Sequence, residues 1–249
     1  MNIIGVIPAR YHSTRLPFKL IRKIGGKTIL QWVWEAASRA HSLDHLIIAC
    51  DDVKIKEVAL EFGAEVMMTS PKHNSGTDRI AEAVRDIDAK IVINIQADEP
   101  FLHYSLVDSL AQEMLGNDGL VMATAKKKIE DNSQIDNPSI VKVVCDRNNY
   151  ALYFSRFPIP YLRDKDIAGA YYKHIGIYAY TKDFLFMFKN LPHSELEAAE
   201  KLEQLRVLEA GYKIRVIETK FDSHGVDTEA DLAAAEIIMA QRESSAAKI

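Results

Sequence analysis

Short apolar runs alternate with amphipathic segments through the first half of the chain. The runs predict strands covered on both faces, because neither side of them carries regular polar positions. These runs lie at 3–7, 46–50, 64–68, 91–95 and 120–124. Strand–helix repeats of this length predict an α/β fold with a doubly wound, mainly parallel sheet.

Helix-start signals separate the strands. Two pairs have the spacing of a capping box, namely Thr28 with Gln31 and Ser75 with Asp78. In a capping box the side chain of each residue accepts a hydrogen bond from the backbone amide of the other. Asp51 follows the second strand directly, and we expect it to cap the next helix.

The pattern loosens between residues 126 and 190. Apolar stretches at 140–145, 151–154 and 174–180 predict consecutive strands, so we expect a mixed or antiparallel excursion within a single domain spanning 1–249. The basic run at 126–128 is interpreted as a solvated turn.

The end of the chain returns to helices and a strand. Ser194 with Glu197 predicts a helix start, and Gly211 suits the left-handed position after its end. The run at 214–217 predicts a strand, and Thr228 with Asp231 opens a terminal helix.

Composition narrows the class of protein. With 249 residues and 48% hydrophobic content, the chain is long enough for a well-buried core. A net charge of −4 argues against general nucleic-acid binding. No apolar run has membrane-spanning length and no leader is recognisable, so we expect no membrane partner. Cys50 and Cys145 are interpreted as reduced thiols, which favours a cytoplasmic location.

The loop after the first strand holds Arg10, Arg15 and Lys19 without any acidic residue. Open α/β sheets bind ligands at the carboxyl ends of their strands. Three positive charges there predict a polyanion, most simply a nucleotide triphosphate, although a solvated basic loop is the competing interpretation. The Walker A spacing is absent.

Two acidic turns are candidate magnesium ligands. Asp98 and Glu99 follow the strand at 91–95, and Asp227 stands before the terminal helix. Carboxylates completed by phosphate and water suit Mg²⁺. Each acid could instead cap a helix, and the sequence does not show whether Asp98 and Asp227 meet.

A small-residue loop opens the helix after Ser75. Backbone amides of Ser75, Gly76 and Thr77 could contact a base edge, and Arg79 is poorly placed for the helix dipole unless it has an anionic partner. An ordinary capped helix start is the alternative.

Further polar residues of the second half are ambiguous when taken singly. His174 and Tyr178 share one face of a strand, and Arg156 follows the end of another. Glu203 and Gln204 lie beside the apolar stripe of a helix.

Taken together, these motifs resemble the 3-deoxy-manno-octulosonate (Kdo) cytidylyltransferase family. The resemblance covers nearly the whole chain in the family's order, and ALYFSR with LEQLRVL and HGVDT is its most specific part. The matching motifs are IPARYHSTRLPFK, SGTDR, QADEP, ALYFSR, KHIGIYAY, LEQLRVL and HGVDT. It implies a nucleotide-diphospho-sugar transferase-like fold.

The resemblance implies an activity and a set of roles. CMP would pass from CTP to the anomeric hydroxyl of Kdo, with release of pyrophosphate, for lipopolysaccharide inner-core synthesis. Arg10, Arg15 and Lys19 would hold the triphosphate, the SGTDR loop would contact cytosine, and Asp98 and Asp227 would bind Mg²⁺. The sugar acid would be surrounded by Gln96, Arg156, His174, Tyr178, Glu203 and Gln204. The region 126–190 would bind sugar and form a homodimer.

Two positions depart from the family pattern. Phe18 replaces a glycine in the first motif, so we expect the loop to take a different path near the phosphates, and Ala97 replaces a glycine beside Asp98. An 8-amino-Kdo substrate or another acidic sugar is therefore an alternative. A glycosyltransferase would usually carry a D-x-D pair, and a non-catalytic nucleotide-binding subunit would not need the retained acids.

Overall fold

The computed structural model describes residues 2–164 and 170–246. Residues 1, 165–169 and 247–249 of the predicted domain lie outside the described residues. The chain divides into two compact units. The first contains the chain up to Ala89, Asn94–Asp108 and the chain from Asp222 onward, and the second contains Lys90–Ile93 and Ser109–Phe221.

Parallel strands form the centre of the first unit. Their order is β1, β4, β5, and β4 pairs in parallel with both neighbours. Their bounds are β1 (Ile3–Ala9), β4 (His45–Cys50) and β5 (Val66–Met68). The strands are short and strongly apolar, as expected for a sheet covered on both faces. A separate hairpin joins β2 (Lys23–Ile24) to β3 (Lys27–Thr28).

Helices of the first unit begin where capping was predicted. Thr28 accepts the amide of Gln31 at the start of α1 (Ile29–Ala37), and Ser75 accepts the amide of Asp78 at the start of α3 (Gly76–Ala83). The last helix, α8 (Glu229–Ala246), opens with reciprocal hydrogen bonds between Thr228 and Asp231. These three predicted starts are confirmed.

One capping prediction is wrong. The N-cap of α2 (Val53–Glu61) is Asp52, whose carboxylate accepts the amide of Lys54, and not Asp51. Either acid could serve by sequence, because a cap must only precede the first turn. Asp51 is thereby left for other contacts.

The second unit contains the mixed sheet. Its strand order is β11, β7, β10, β6, with β8 and β9 as an antiparallel pair beside β10. β10 runs antiparallel to β7 and β8, whereas β11 runs parallel to β7. The bounds are β6 (Ile91–Asn94), β7 (Met122–Lys128), β8 (Lys142–Cys145), β9 (Ala151–Ser155), β10 (Tyr172–Thr181) and β11 (Arg215–Glu218). The predicted antiparallel excursion is confirmed.

The basic run at 126–128 is part of β7 and not a solvated turn. Lys126 and Lys127 are buried, while Lys128 is exposed. The long alkyl chain of lysine can cover apolar surface while its ammonium group finds a polar partner, as the hydrogen bond from Lys126 to Asn149 shows.

The helices of the second unit differ from the prediction in one place. The segment after Ser194 forms two short helices, because Lys201 adopts a left-handed conformation with φ of 55°. Ser194 still caps the first of them. The bounds are α5 (Lys182–Lys189), α6 (Glu195–Glu200) and α7 (Gln204–Glu209), while α4 (Tyr104–Gly116) begins in the first unit.

The fold is therefore mixed α/β, with a mainly parallel sheet and added antiparallel strands. Within the part of the chain that the structure describes, no helix is long and apolar enough to cross a membrane.

Candidate active site

A polar pocket of about 350 Å³ lies in the first unit at the carboxyl end of β1. The amide of Ile95 donates to the carbonyl of Val6, which places the segment after Ile95 beside the end of β1. This is the edge at which open α/β sheets bind ligands. The pocket brings together most of the predicted nucleotide and metal residues, namely Arg10, Arg15, Lys19, Ser75, Gly76, Arg79, Asp98 and Asp227. Gln96, predicted for the sugar acid, also lines it.

Lys19 is the electrostatic centre of the pocket. Its Nζ lies 2.5 Å from Oδ2 of Asp98 and 2.8 Å from Oδ1 of Asp227. Burial alone would lower the pKa of Lys19, but the two carboxylates outweigh it and raise that pKa above its usual value. Lys19 is therefore a fixed positive charge at neutral pH.

The two acidic turns meet, which the sequence could not show. The amide of Val226 donates to the carbonyl of Asp98 at 2.9 Å, so the backbone brings Asp227 beside Asp98. Burial would raise the pKa of Asp227, but hydrogen bonding and charge from Lys19, together with Arg15 at 2.9 Å, hold it below its usual value. Asp227 is thus ionised at neutral pH.

The acids fit a divalent cation. One carboxylate oxygen of Asp98 and one of Asp227 accept hydrogen bonds from the same ammonium group, that of Lys19. The two carboxylates are therefore close enough together to bind one cation. No cluster of three or more histidine, cysteine or acidic residues occurs among the described residues, so a metal here would take its remaining ligands from phosphate or water. Two carboxylates completed in that way are the usual environment of Mg²⁺ in nucleotide enzymes.

The Ser75 loop forms the other side of the pocket. A Cβ at Gly76 would lie 3.4 Å from Cγ of Pro8, an ordinary contact distance, so α3 begins next to the end of β1. Thr77 lies in the first turn of α3, where it is buried, and it does not line this pocket. His73 lines the pocket and hydrogen-bonds Glu82 through Nε2.

The guanidinium group of Arg79 is held by protein groups through both of its terminal nitrogens. It donates to a carboxylate oxygen of Asp51 at 2.9 Å and to the hydroxyl of Thr69 at 2.6 Å. Only 4% of the side chain is exposed, although it contributes to the pocket wall. Asp51 is thus the anionic partner that the position of Arg79 called for.

Phe18 has a backbone conformation that glycine adopts freely. Its φ of 56° and ψ of 31° lie in the left-handed region, which costs a non-glycine residue about 1–2 kcal/mol. Its ring packs on Tyr11, with centroids 4.6 Å apart. The altered path of the loop stays a prediction, because the dihedral angles of Phe18 describe this chain alone.

The second unit holds the other predicted substrate residues. His174 contacts the hydroxyl of Thr124 at 2.9 Å, and its ring lies 5.4 Å from that of Tyr178. Burial lowers the pKa of His174 to about 3 and raises that of Tyr178 well above 10, with a smaller contribution from Tyr180 and Glu203. Both side chains are therefore neutral hydrogen-bonding groups at physiological pH.

Gln204 is buried, and its Nε2 has no hydrogen-bond partner within the described part of the chain. A buried donor without a partner is costly, which indicates a place for a ligand or water oxygen.

The guanidinium group of Arg156 donates hydrogen bonds to the carbonyls of Pro138, Glu200 and Lys201. Two of those carbonyls are freed by the helix break at Lys201. Gln96 lies in the first unit, where it donates to Asn94.

Comparison with known proteins assigns the family. The cytidylyltransferase family matches residues 4–214. Two relatives named 3-deoxy-manno-octulosonate cytidylyltransferase, from Solibacter usitatus and Fusobacterium nucleatum, are 48% and 47% identical to the chain. Each alignment covers 93% of this chain, with 92% and 94% of the respective relative. The chain belongs to the cytidylyltransferase family.

A solved relative supports the same assignment. The structure of CMP:2-keto-3-deoxy-manno-octonic acid synthetase complexed with CTP is 41% identical, with a TM-score of 0.92. The match covers 97% of this chain and all of that one. The fold of this cytidylyltransferase is therefore that of a nucleotidyltransferase.

Sequence reasoning missed His73, which lines the pocket of this cytidylyltransferase, and Asp51, which does not line it but holds Arg79. Asp51 carries the signal of an acid directly after a buried strand, but it was assigned to helix capping. His73 stands two residues before Ser75, and its position near that loop was the available signal.

Proposed function

We propose that this protein transfers CMP from CTP to the anomeric hydroxyl of Kdo and releases pyrophosphate. The observation that carries the proposal is the convergence of Lys19, Asp98 and Asp227 in one pocket with Arg10 and Arg15. Phosphoryl transfer needs positive charge around the phosphates and carboxylates for a metal ion, and little else from the protein. The names of the relatives identify the sugar acid.

In this proposal Arg10, Arg15 and Lys19 hold the triphosphate. The sugar hydroxyl attacks the α-phosphorus, the bond to the bridging oxygen breaks, and pyrophosphate leaves. Asp98 and Asp227 would hold Mg²⁺, which when bound neutralises phosphate charge and polarises the α-phosphate. Each cationic contact made in the transition state is worth roughly 3–4 kcal/mol, by analogy with oxyanion donors.

The base-binding side of the pocket is assigned to the Ser75 loop. Ser75 and Gly76 line the pocket at the start of α3, whereas Thr77 is buried in its first turn. Gly76 lies next to Pro8 in this loop. We assign cytosine recognition to it, and we assign Arg79 an indirect role because its guanidinium is already paired.

The sugar acid is assigned to residues of the second unit, namely Arg156, His174, Tyr178, Glu203 and Gln204. Arg156 supplies a positive charge for a carboxylate, and the unpartnered amide of Gln204 supplies a donor. The neutral imidazole of His174 suits hydrogen bonding to hydroxyls. With a pKa of about 3, this side chain is too weak a base to take a proton at neutral pH.

We assign the second unit a role in forming a homodimer. It exposes large apolar side chains close together in sequence, with exposed fractions of 62% for Leu152, 79% for Phe157 and 87% for Tyr161. Exposed apolar groups of this kind are typical of association surfaces. Sedimentation of the wild type and of Tyr161→Glu tests the assignment: a dimer that the substitution weakens is expected, and a wild-type monomer contradicts it.

Pyrophosphate release with CTP tests the proposed reaction. We expect release with Kdo and Mg²⁺, and none without Mg²⁺. A panel of sugar acids, including 8-amino-Kdo, identifies the substrate, and we expect Kdo to be used best because the relatives are named for it. Absence of release with every octulosonate would overturn the proposal. Asp98→Asn should abolish turnover while leaving the circular dichroism spectrum unchanged.

A further inference from the structure

Asp51 connects two parts of the nucleotide pocket. Its Oδ1 accepts the amide of Tyr11 at 2.9 Å, and its Oδ2 accepts the guanidinium of Arg79 at 2.9 Å. Since Asp52 caps α2, neither carboxylate oxygen of Asp51 is needed there. A hydrogen bond from a backbone amide to a paired carboxylate is stronger than one between neutral groups.

Arg79 is anchored so that it holds Asp51 in place. Its side chain is 4% exposed, and its second terminal nitrogen contacts the hydroxyl of Thr69 at 2.6 Å. Thr69 in turn donates to the carbonyl of Cys50 at 3.0 Å. The guanidinium therefore bridges α3 to the ends of β4 and β5, and its charge is balanced by Asp51.

Tyr11 belongs to the cationic loop, which runs from Arg10 to Lys19, so its contact with Asp51 restrains the backbone of that loop. It follows Arg10, which lines the pocket, and its ring packs on Phe18, which precedes Lys19. The loop has irregular backbone between the end of β1 and Lys19. One carboxylate contact therefore fixes the start of the loop, and one ring contact fixes its end.

We propose that Asp51 and Arg79 are positioning residues for the triphosphate-binding loop. They set the affinity for CTP by holding the backbone at Tyr11, and neither needs to touch the reacting atoms. The inference rests on the proposed binding of CTP in this pocket. It differs from a direct contact between Arg79 and the nucleotide, because it makes the effect of Arg79 depend on Asp51.

Calorimetric titration of CTP, without sugar, tests the inference in Asp51→Ala, Arg79→Met and the double variant. Loss of one hydrogen bond to a charged group predicts about a tenfold rise in the Kd of CTP for each single variant. The Kd of CTP for the double variant should not exceed the higher of the two single-variant values, because the two residues act as one unit. The KM for the sugar acid should not change.

Asp44→Ala is a matched control. Asp44 accepts the amide of Ile3 at 2.8 Å, so it makes the same kind of contact at the opposite end of β1. It should lower the melting temperature as Asp51→Ala does, with an unchanged Kd for CTP. Asp51→Asn keeps an oxygen acceptor for Tyr11, and should restore most of the CTP affinity. If Asp51→Ala does not fold, Arg79→Met is compared in the wild type and in Asp51→Asn. Positioning through Asp51 predicts a smaller loss of CTP affinity in Asp51→Asn, whereas direct contact predicts the same loss in both.

Two results would overturn the inference. Weakened CTP binding in Arg79→Met with wild-type binding in both Asp51 variants would indicate direct contact. Wild-type binding in all variants, with only lower melting temperatures, would indicate a purely structural role. Failure of the proposed reaction is distinguishable, because it appears as absent pyrophosphate release by the wild type whatever the Kd values of the variants.

Discussion

The ammonium group of Lys19 lies 2.5 Å from a carboxylate oxygen of Asp98, so the cation assigned to phosphate is paired with an acid assigned to metal. Asp227 contacts the same ammonium group at 2.8 Å. A divalent ion that uses both acids must therefore compete with Lys19. A triphosphate relieves this competition, because it offers Lys19 another anionic partner.

Lys19→Met should strengthen metal binding in the absence of nucleotide. Removing the ammonium leaves Asp98 without its cationic partner and Asp227 with Arg15 alone. We therefore expect about a tenfold rise in affinity for Mn²⁺, equivalent to roughly 1.4 kcal/mol. Electron paramagnetic resonance of free Mn²⁺ measures this without turnover. The same variant should lose pyrophosphate release, because it lacks a triphosphate contact.

Lys27→Met is the control for that measurement. Lys27 pairs with Glu35 at 2.6 Å and does not line the nucleotide pocket. Its loss should leave Mn²⁺ affinity unchanged. Equal or weaker Mn²⁺ binding by Lys19→Met would show that the two acids do not bind metal together.

Phe18 provides a test of backbone strain in the cationic loop. Phe18→Ala loses the ring contact with Tyr11 but keeps the left-handed strain, whereas Phe18→Gly loses both. We expect the glycine variant to be more stable than the alanine variant by about 1 kcal/mol, since glycine adopts this conformation freely. Urea unfolding measures the difference, and equal stabilities would mean that the loop relaxes in the alanine variant.

Local signals in the sequence predicted the elements well. Thr28, Ser75 and Ser194 cap helices as expected, because a capping contact spans only three residues. Asp51 was misassigned for the same reason: two adjacent acids satisfy one local rule equally, and only the fold distinguishes them. The helix break at Lys201 has no local breaker such as glycine or proline.

The candidate site depends on long-range contacts that no local rule supplies. Asp98 and Asp227 are joined through the amide of Val226, a contact between distant parts of the chain. The sequence predicted each acid separately, but their pairing with Lys19 required the structure. For Arg79, the sequence predicted an anionic partner without saying which group it is. In the structure that partner is the carboxylate of Asp51.

His174 should make the folded state sensitive to acid. Burial lowers its pKa to about 3 in the fold, against an ordinary value near 6.5. Between these values the unfolded chain binds a proton that the folded chain does not, so the free energy of unfolding falls as the pH falls. His174→Gln removes this titration while leaving an amide near the position of Nε2.

Urea unfolding at several pH values measures the effect. Other groups titrate in both proteins, so the difference between wild type and His174→Gln isolates the histidine. Between pH 5.5 and 4, the wild type should lose about 1.4 kcal/mol per pH unit more than the variant. Parallel pH dependences would show that His174 is protonated in the folded protein.

Lys142 should be among the lysines most important for stability. Its side chain is fully buried, burial lowers its pKa, and its ammonium group donates to the carbonyls of Asn137, Ile140 and Arg156. Lys142→Met keeps the length of the side chain but removes the donor from the carbonyls of Ile140 and Arg156, while the carbonyl of Asn137 keeps the amide of Ile140. We expect a loss of roughly 2–4 kcal/mol in the free energy of unfolding, measured with urea.

Lys127→Met separates this effect from the burial of a lysine as such. Lys127 is also buried, but its ammonium group contacts Glu130, whose side chain is 79% exposed and can be hydrated when the partner is lost. We therefore expect about 1 kcal/mol or less for Lys127→Met. A similar loss in both variants would mean that the carbonyls around Lys142 find water or new partners. The difference between the two losses of unfolding free energy measures what the ammonium group of Lys142 contributes through its contacts with backbone carbonyls.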